Sequence, residues 1–243
     1  MNTFIKAEKD RIAVVKYKES RLLITFLDTV DYSLSSKLQN LLASNRKQDL
    51  IPDLILLQQH NHTYTIGKRG TREDILLSDK QLALLGIDVH HTDRGGQVTY
   101  HGPGQIVGYP VMDIRPYGGP AKYVSKLEDV LISSVNRYGV TAERKTNLPG
   151  VWISGKKIAS IGLKISGGVS THGFSLNVNN DLSYFENIIT CGIKDLRVTS
   201  LENITGSKLS ISHVSRTIKE SFQTVFGREI VEVHKDSLVD LYR

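Results

Sequence analysis

The sequence has little of what would place it in several large classes of protein. A single cysteine, Cys191, excludes an internal disulfide framework and any zinc site built from cysteine pairs. Apolar runs such as Leu54–Leu57 fall far short of the about 20 residues that cross a bilayer. No run of five basic residues, no Walker-type Gly-Lys-Ser/Thr segment and no RNA-recognition signature occurs. We therefore expect no membrane span, no metal site and no nucleic-acid partner.

The composition is typical of a folded globular chain. The 243 residues are 40% hydrophobic and 23% charged, which is too apolar for a disordered segment. A chain of this length buries roughly 70–75% of its unfolded surface on folding, so it needs no disulfide or structural metal. The formal net charge of +6 favours an acidic partner, although the basic residues are scattered along the chain.

The amino-terminal residues fit no targeting class well. Residues 1–21 mix three acidic residues with the basic ones, and they lack the uninterrupted apolar core of a signal peptide. A mitochondrial transit peptide is usually poor in acidic residues, so the segment fits that class badly too. Early strands at Ile12–Val15 and Leu22–Phe26 are the better interpretation.

Hydrophobic periodicity predicts strands and helices in no regular order. Apolar residues at helical spacing predict helices at Asp31–Gln48, Ser78–Leu85, Pro120–Tyr138 and Val214–Val225. Apolar or alternating runs predict strands at Leu54–Leu57, Val98–Tyr100, Ile106–Ile114, Val151–Ile153, Ile158–Ile165, Gly173–Val178 and Glu229–Val233, with a short helix or turn at Leu182–Ile189. Because no βαβ rhythm, repeat or linker is visible, we predict an α+β single domain over residues 1–243.

The stretch Arg94–Gln105 is the most unusual in composition. Five of its twelve residues are glycine or proline, so its backbone turns sharply and can approach a ligand closely. The spacing is wrong for a dinucleotide fingerprint, and Pro103 lies inside it. Taken alone, the glycines favour tight turns between strands.

Three further positions are candidates for chemistry. Cys191 lies in an apparent loop before a glycine, although a lone cysteine is more often a small buried hydrophobic residue. Lys157 leads directly into an apolar strand, so it can point inward, where a cysteine thiolate would be a suitable partner. His172 lies beside a glycine on a strand, where contact with substrate and a structural hydrogen bond are equally consistent with the sequence.

Together these segments resemble the lipoyl(octanoyl) transferase family. The matching pieces are Arg94–Gln105, Pro149-Gly150-Val151-Trp152, Lys157–Gly162, His172–Val178 and Asp181-Leu182 through Phe185 to Cys191-Gly192, with a weaker match at Gln59-His60 and Tyr64–Gly67. The resemblance covers roughly residues 54–202. Thr190 stands where the family usually has proline, and Gln59-His60-Asn61-His62 replaces a Glu-His-x-Pro run; neither change removes a reacting group.

The resemblance implies a mixed β-sheet with surrounding helices, similar to biotin and lipoate protein ligases. It implies transfer of an octanoyl group from acyl carrier protein to a lysine of a lipoyl domain, either in a 2-oxoacid dehydrogenase subunit or in the glycine cleavage H protein. It implies that Cys191 carries the acyl thioester and that Lys157 lowers the pKa of that cysteine, with no cofactor. The substrate-binding positions so implied are Arg94, Gly95, Gly96, Gln97, Val98, Thr99, Tyr100, His101, Ser160, Ile161, Gly162, His172, Gly173 and Phe174.

Simple arithmetic indicates a second role for Lys157. Lowering a cysteine pKa from about 8.5 to about 7 raises its thiolate fraction roughly sixteenfold, but the accompanying loss of nucleophilicity costs roughly fivefold. The net gain of about threefold is small, so we expect Lys157 also to accept or relay the proton of the attacking amine. Oxyanion donors are expected from Arg94–Gly104 or near Gly192, and we expect Val98, Tyr100 and Ile161 to line the acyl slot.

Two other functions stay open at this point. An ATP-dependent lipoate or biotin protein ligase would share the fold, but no obvious nucleotide-binding loop is present. A non-catalytic module that binds carrier proteins would leave Cys191 simply buried. Both the mitochondrial matrix and the bacterial cytoplasm host this chemistry; the basic charge and the residues beyond the matching core slightly favour the matrix.

Overall fold

The chain is built around one large mixed sheet and one small sheet. A computed structural model describes residues 21–190 and 196–240. The strands are β1 (Arg21–Thr29), β2 (Leu54–Gln59), β3 (Thr63–Ile66), β4 (Asp88–His91), β5 (Val98–His101), β6 (Gln105–Val111), β7 (Glu143–Lys145), β8 (Leu148–Ile153), β9 (Lys156–Ser166), β10 (Val169–Asn177) and β11 (Glu229–Glu232). The large sheet has the order β11-β1-β2-β6-β10-β9-β8-β7, and the small sheet has the order β4-β3-β5.

Helices cover both faces of the large sheet. They are α1 (Tyr32–Lys47), α2 (Asp79–Leu84), α3 (Pro120–Asn136), α4 (Leu201–Thr205), α5 (Ile211–Phe226) and α6 (Lys235–Asp240), with short 3₁₀ turns at Arg72–Asp74, Arg115–Tyr117 and Leu182–Asn187. The long helices α3 and α5 pack on one face through a core that includes Leu127, Leu131, Ile218 and Phe222. Helix α1 packs on the other face with Leu42. The predicted α+β fold is confirmed.

Local sequence signals set the helix ends. Asp31 caps α1, because its side chain accepts a hydrogen bond from the Leu34 N–H at 3.0 Å. Ser78 and Gln81 form a capping box at α2. Pro120 occupies the first turn of α3, and Gly227 ends α5 at φ +64°. The predicted helices and strands are therefore present with modest changes in their ends, whereas Ile12–Val15 lies outside the described residues.

The small sheet was not predicted. Strand β3 pairs with β4 in parallel and with β5 in antiparallel fashion. The small sheet packs on a separate hydrophobic cluster that contains Tyr64, Tyr100, Phe185 and Ile188 and is called the second cluster below. The glycine-rich segment Arg94–Gln105 follows β4 and lies against β9, where the Gly95 N–H donates to the Leu163 carbonyl at 2.8 Å.

Candidate active site

A cavity of about 530 Å³ lies where the glycine-rich segment meets strands β9 and β10. This is within the size range of small-molecule sites. Every predicted binding residue except Tyr100 lines it, and so does Lys157. Cys191 and Gly192 lie outside the described residues. The structure thus brings together segments that are separated by up to about eighty positions in the sequence.

The expectation that Tyr100 lines the acyl slot is not met. Its ring is fully buried in the second cluster, stacked on Tyr184 with 4.9 Å between ring centroids, and its hydroxyl is 2.8 Å from the His62 Nδ1. Side chains alternate along a strand, so Tyr100 faces away from its neighbours Thr99 and His101, which reach the cavity. Val98 and Ile161 line the cavity.

The Arg94 side chain shapes the glycine-rich segment from within. Its guanidinium donates to the carbonyls of Thr65 at 2.6 Å, Gln97 at 2.7 Å and Gly95 at 3.0 Å. These bonds wrap the segment around a buried cation, and a charged donor makes each of them stronger than a neutral hydrogen bond. Arg94 therefore fixes the cavity wall, and no sequence signal distinguished that task from direct substrate contact.

A β-bulge turns Lys157 toward the cavity. Val151 on β8 pairs with Ala159, but the next residue, Trp152, pairs with Lys157, so Ile158 is an extra residue on β9. Ile158 and Ala159 both pack in the main core, whereas Lys157 lines the cavity on the opposite side. Bulges commonly redirect a side chain next to an active site. Without this one, the lysine would lie on the core side of the sheet.

A glycine makes room for the lysine side chain. Gly150 has φ +132°, and a Cβ there would lie 2.6 Å from the Lys157 Cε and 2.4 Å from the Ala159 carbonyl oxygen. The Gly150 N–H donates to the Glu128 Oε1 at 3.0 Å, and Arg144 holds the other oxygen of that carboxylate. Lys157 is only 3% exposed. Its ammonium lies 5.5 Å from the centre of the Trp152 ring.

Two buried histidines lie side by side at the cavity wall: His101 lines the cavity, and the His60 ring centre is 5.7 Å from that of His101. Burial lowers the pKa of His101 to about 3 and that of His60 to about 4. The Nδ1–H of His60 donates to the Val30 carbonyl at 2.6 Å, so its Nε2 accepts from the Tyr109 hydroxyl at 2.8 Å. His101 donates from Nδ1 to the Gln105 Oε1 at 2.8 Å. Both imidazoles therefore act as neutral hydrogen-bonding groups near neutral pH.

His172 is held in a backbone conformation that costs energy. Its φ is +55°, in the left-handed region that non-glycine residues rarely adopt. Its N–H donates to the Gln39 side chain at 2.8 Å, and its Nε2–H donates to the Asp93 carboxylate at 2.8 Å. Burial is the main cause of the lowered pKa of His172, and the hydrogen bond to Asp93 partly opposes it.

The chain on both sides of the cysteine segment is fastened near the cavity. Thr190 is buried, lines the cavity and forms a parallel bridge with Val98. On the far side, the Lys157 N–H donates to the Arg197 carbonyl, and the Thr199 N–H donates to the Lys157 carbonyl, both at 2.9 Å. Residues 191–195 therefore link Thr190 to a segment whose backbone is hydrogen-bonded to that of Lys157.

Several cavity residues were not predicted. They are Tyr32, Arg69, Val107, Tyr109, Pro120, Val124, Asn147, Leu148, Pro149, Leu163, Ile165, Ser175 and Thr190. Pro149 belongs to a matching motif, and Leu163 and Ile165 follow Ile161 on the strand, so these three had a signal. Tyr32 and Tyr109 had none, because only the folded sheet brings them to the site.

The described residues offer no candidate for a metal centre or for a membrane-spanning helix. Over residues 21–190 and 196–240, no group of three or more His, Cys, Asp or Glu side chains could hold a metal ion. Within the same ranges, the helices are too short or too polar to cross a bilayer.

Comparison with known proteins identifies the class. The profile of the lipoyl protein ligase A/B catalytic domain matches residues 31–223. By fold, the chain is similar to lipoate-protein ligase A bound with ATP (TM-score 0.71, 15% identity, 93% of each chain). It is also similar to a bi-partite lipoate protein ligase from Thermoplasma acidophilum (TM-score 0.69, 18% identity, 93% and 91% of the chains). The chain belongs to the lipoyl protein ligase A/B catalytic domain family.

Two relatives of higher sequence identity to the chain are octanoyltransferases. An octanoyltransferase of Koribacter versatilis is 40% identical over 221 residues, which are 88% of this chain and 87% of the relative. A mitochondrial octanoyltransferase of Arabidopsis thaliana is 43% identical over 190 residues, or 77% and 81% of the two chains. Within the family, the chain is similar to the octanoyltransferases over most of its length.

Proposed function

We propose that the octanoyl transfer catalysed by this chain proceeds through a thioester on Cys191, with Lys157 as its acid–base partner. The observation that carries the proposal is that Thr190 and Lys157 line one cavity. Arg197 and Thr199, which follow the cysteine segment, are bonded to the Lys157 backbone. A chain tied to the lysine after the segment, and to the same cavity before it, supports a short path between the two groups.

The reaction has two balanced steps. The Cys191 thiolate attacks the octanoyl thioester of the donor, a new thioester forms on the cysteine, and the donor's thiolate leaves and takes up a proton. The acceptor amine then attacks the new thioester, an amide forms, and the cysteine is released as a thiol after the amine loses its proton. Lys157 supplies positive charge for the first step and receives or relays the amine's proton in the second.

The second role of Lys157 has a direct test. The acceptor amine has an ordinary pKa of about 10.4, so less than about 0.1% of it is free base at pH 7. Lys157→Arg keeps the positive charge but removes base capacity. We expect this variant to form the acyl-enzyme but to pass the octanoyl group on slowly. A second step at the wild-type rate would contradict the base role.

The apolar part of the cavity suits the octanoyl chain. Val98, Val107, Leu148 and Ile161 line it, and each buried methylene is worth about 0.8 kcal/mol. The remaining predicted positions in Arg94–His101, Ser160–Gly162 and His172–Phe174 form the rest of the proposed substrate-binding wall. For Tyr100, the buried ring limits that role to support of the wall from behind.

We assign the donor and acceptor by family. The donor is octanoyl-acyl carrier protein, and the acceptor is a lysine of a lipoyl domain, as in 2-oxoacid dehydrogenase subunits and the glycine cleavage H protein. The formal net charge of +6 suits an acidic carrier and should speed the encounter more than it tightens binding. We expect kcat/KM for the carrier-bound substrate to fall as the salt concentration rises. A kcat/KM that does not change with salt would contradict the role of charge in the encounter.

Residues 1–243 form one catalytic domain in this proposal, and the compartment is the mitochondrial matrix. The mitochondrial relative from Arabidopsis supports this compartment, whereas the Koribacter relative is bacterial, so the bacterial cytoplasm is the alternative. Immunolocalisation in the source cell distinguishes them.

Intact-mass analysis tests the thioester. Mixing the protein with octanoyl-acyl carrier protein should add one octanoyl group, which hydroxylamine removes, and the Cys191→Ser variant should lack it. No adduct on the wild-type protein would favour a non-catalytic binding module. Transfer that requires ATP would favour a ligase, the function of the structural neighbour solved with ATP.

A further inference from the structure

The only tryptophan of the chain lies against the proposed catalytic lysine. Trp152 on β8 pairs directly with Lys157 on β9, so both side chains project from the same face of the sheet. The Lys157 Nζ lies 5.5 Å from the centre of the Trp152 ring. This is within the about 6 Å at which an ammonium is attracted to the electron-rich face of an indole.

The indole itself is firmly held. Trp152 is 2% exposed. Its Nε1–H points toward the Leu148 carbonyl at 3.4 Å, and Leu148 lines the cavity. A ring that is buried in this way offers a rigid surface, and a desolvated cation–π contact is stronger than one in water.

A second ammonium uses the same ring. The Lys145 Nζ lies 4.3 Å from the ring centre. Lys145 is half-buried on β7, whereas Lys157 is 3% exposed and lines the cavity. The chain thus offers two cations on one indole, only one of which belongs to the cavity, and this provides a matched control.

We propose that Trp152 is a positioning residue for Lys157: its indole face fixes the lysine ammonium at the place where it acts on Cys191. This inference rests on the proposed function, because it requires the pair of Cys191 and Lys157. Gly150 contributes by leaving open the space that the Lys157 Cε occupies. A lysine side chain has many rotamers in water, so a fixed contact near its end lowers the conformational entropy that remains to be lost before the reaction.

The test uses the single cysteine as its own reporter. Iodoacetamide alkylates the thiolate, so the pH dependence of alkylation in the full chain reports how well Lys157 promotes ionisation of Cys191. For Trp152→Leu we expect the midpoint to rise by about one pH unit, toward the about 8.5 of an ordinary cysteine. We also expect kcat to fall about tenfold, with KM for the octanoyl carrier within twofold of wild type. Trp152→Phe keeps a weaker aromatic face, so its midpoint and its kcat should lie between those of the wild type and Trp152→Leu.

The direction of the change separates positioning from loss of structure. If the indole only packs the core, its removal loosens the site and alkylation becomes faster at every pH, which would overturn the proposal. An unchanged midpoint in both Trp152 variants would also overturn it. Should Trp152→Leu fail to fold, Trp152→Phe alone still decides by the position of its midpoint.

Two further variants isolate the contact. Lys145→Gln removes the other cation from the same ring and should leave the midpoint within about 0.3 units; a shift as large as that of Trp152→Leu would assign the effect to charge and overturn the proposal. In a Lys157→Met background, Trp152→Leu should cause no further shift of the alkylation midpoint, because Trp152 acts only through that lysine.

If Lys157→Met itself leaves the midpoint unchanged, the proposed pairing of Cys191 with Lys157 is contradicted. If only the Trp152 variants leave it unchanged, the positioning role alone fails.

Discussion

The two faces of strands β8, β9 and β10 share one backbone but differ sharply in what they carry. The face toward helices α3 and α5 presents large apolar side chains such as Val151, Ile158 and Leu176. The opposite face carries Gly150 and Ser160 next to the buried Lys157 and Trp152. We expect the free energy of unfolding to depend mainly on the first face and octanoyl transfer mainly on the second; the bulge at Ile158 lets β9 contribute to both.

The largest expected effect lies on the cavity face. Lys157→Met should lower kcat by about 10²–10⁴-fold, the usual contribution of a positioned acid–base group. Because the substitution keeps an unbranched side chain of similar length, we expect little change in the free energy of unfolding. Steady-state transfer and urea titration measure both. The neighbouring exposed Lys156, changed to Met, is the control and should retain wild-type kcat; similar losses in both variants would contradict the comparison.

The next effect lies on the core face. Leu176 is fully buried, so Leu176→Ala should cost about 2–5 kcal/mol in the free energy of unfolding, the usual cost of a leucine-sized cavity. Its strand neighbour Ser175 lies on the cavity side. Ser175→Ala should change that free energy by less than about 1 kcal/mol. Equal losses in the two variants, measured by urea titration, would show that the faces do not differ as described.

A glycine pair gives a smaller but more selective effect. Gly150→Ala places a Cβ 2.4 Å from the Ala159 carbonyl oxygen, at φ +132°, and should destabilise the fold by about 1–3 kcal/mol and displace Lys157. Gly155→Ala has φ +79° with nothing within 4 Å, so it should cost about 1–2 kcal/mol through backbone strain alone. Transfer activity should fall only for Gly150→Ala. Loss of activity in both would point to the hairpin as a whole.

Acid should destabilise the cavity end through its histidines. The pKa of His60 is lowered from 6.5 to about 4, and that of His101 to about 3. The unfolded chain therefore binds more protons below pH about 6.5, so the stability that these neutral histidines provide is complete above that pH and is lost as pH falls toward 4. Each should contribute a slope of up to about 1.4 kcal/mol per pH unit. Urea titrations between pH 7.5 and 5 test this; His60→Gln should reduce the slope by about one proton, and an unchanged slope would contradict the assignment.

Much of the fold was predictable because long helices and strands have a clear periodic pattern of apolar residues in the sequence. The apolar stripe of Pro120–Asn136 and its proline start, or the turn between β8 and β9, depend on neighbours a few residues away. Of the small sheet, only β5 was predicted; β3 and β4 were missed because each is four residues long and Asp88–His91 has no apolar pattern. These two strands form because they pair with each other and pack on the second cluster, which is tertiary information.

The site divides in the same way. The motif resemblance brought together about half of the residues that line the cavity. The one implied binding residue outside the lining, Tyr100, alternates on β5 with Thr99 and His101, which do line the cavity. No local pattern shows that the Arg94 guanidinium is bonded to its own segment's carbonyls, or that a bulge redirects Lys157. The role of Cys191 stays a prediction, because that residue lies outside the described part of the chain.

The hydrogen bonds that join the Lys157 backbone to Arg197 and Thr199 hold the chain in place just after the cysteine segment. Thr190 is fixed at Val98, so the six residues from 191 to 196 span the distance between two attached points. Adding a residue there would lengthen the chain between the attachments and leave the residues that form them unchanged. If Cys191 carries the acyl group as proposed, such insertions are a way to vary its distance from Lys157.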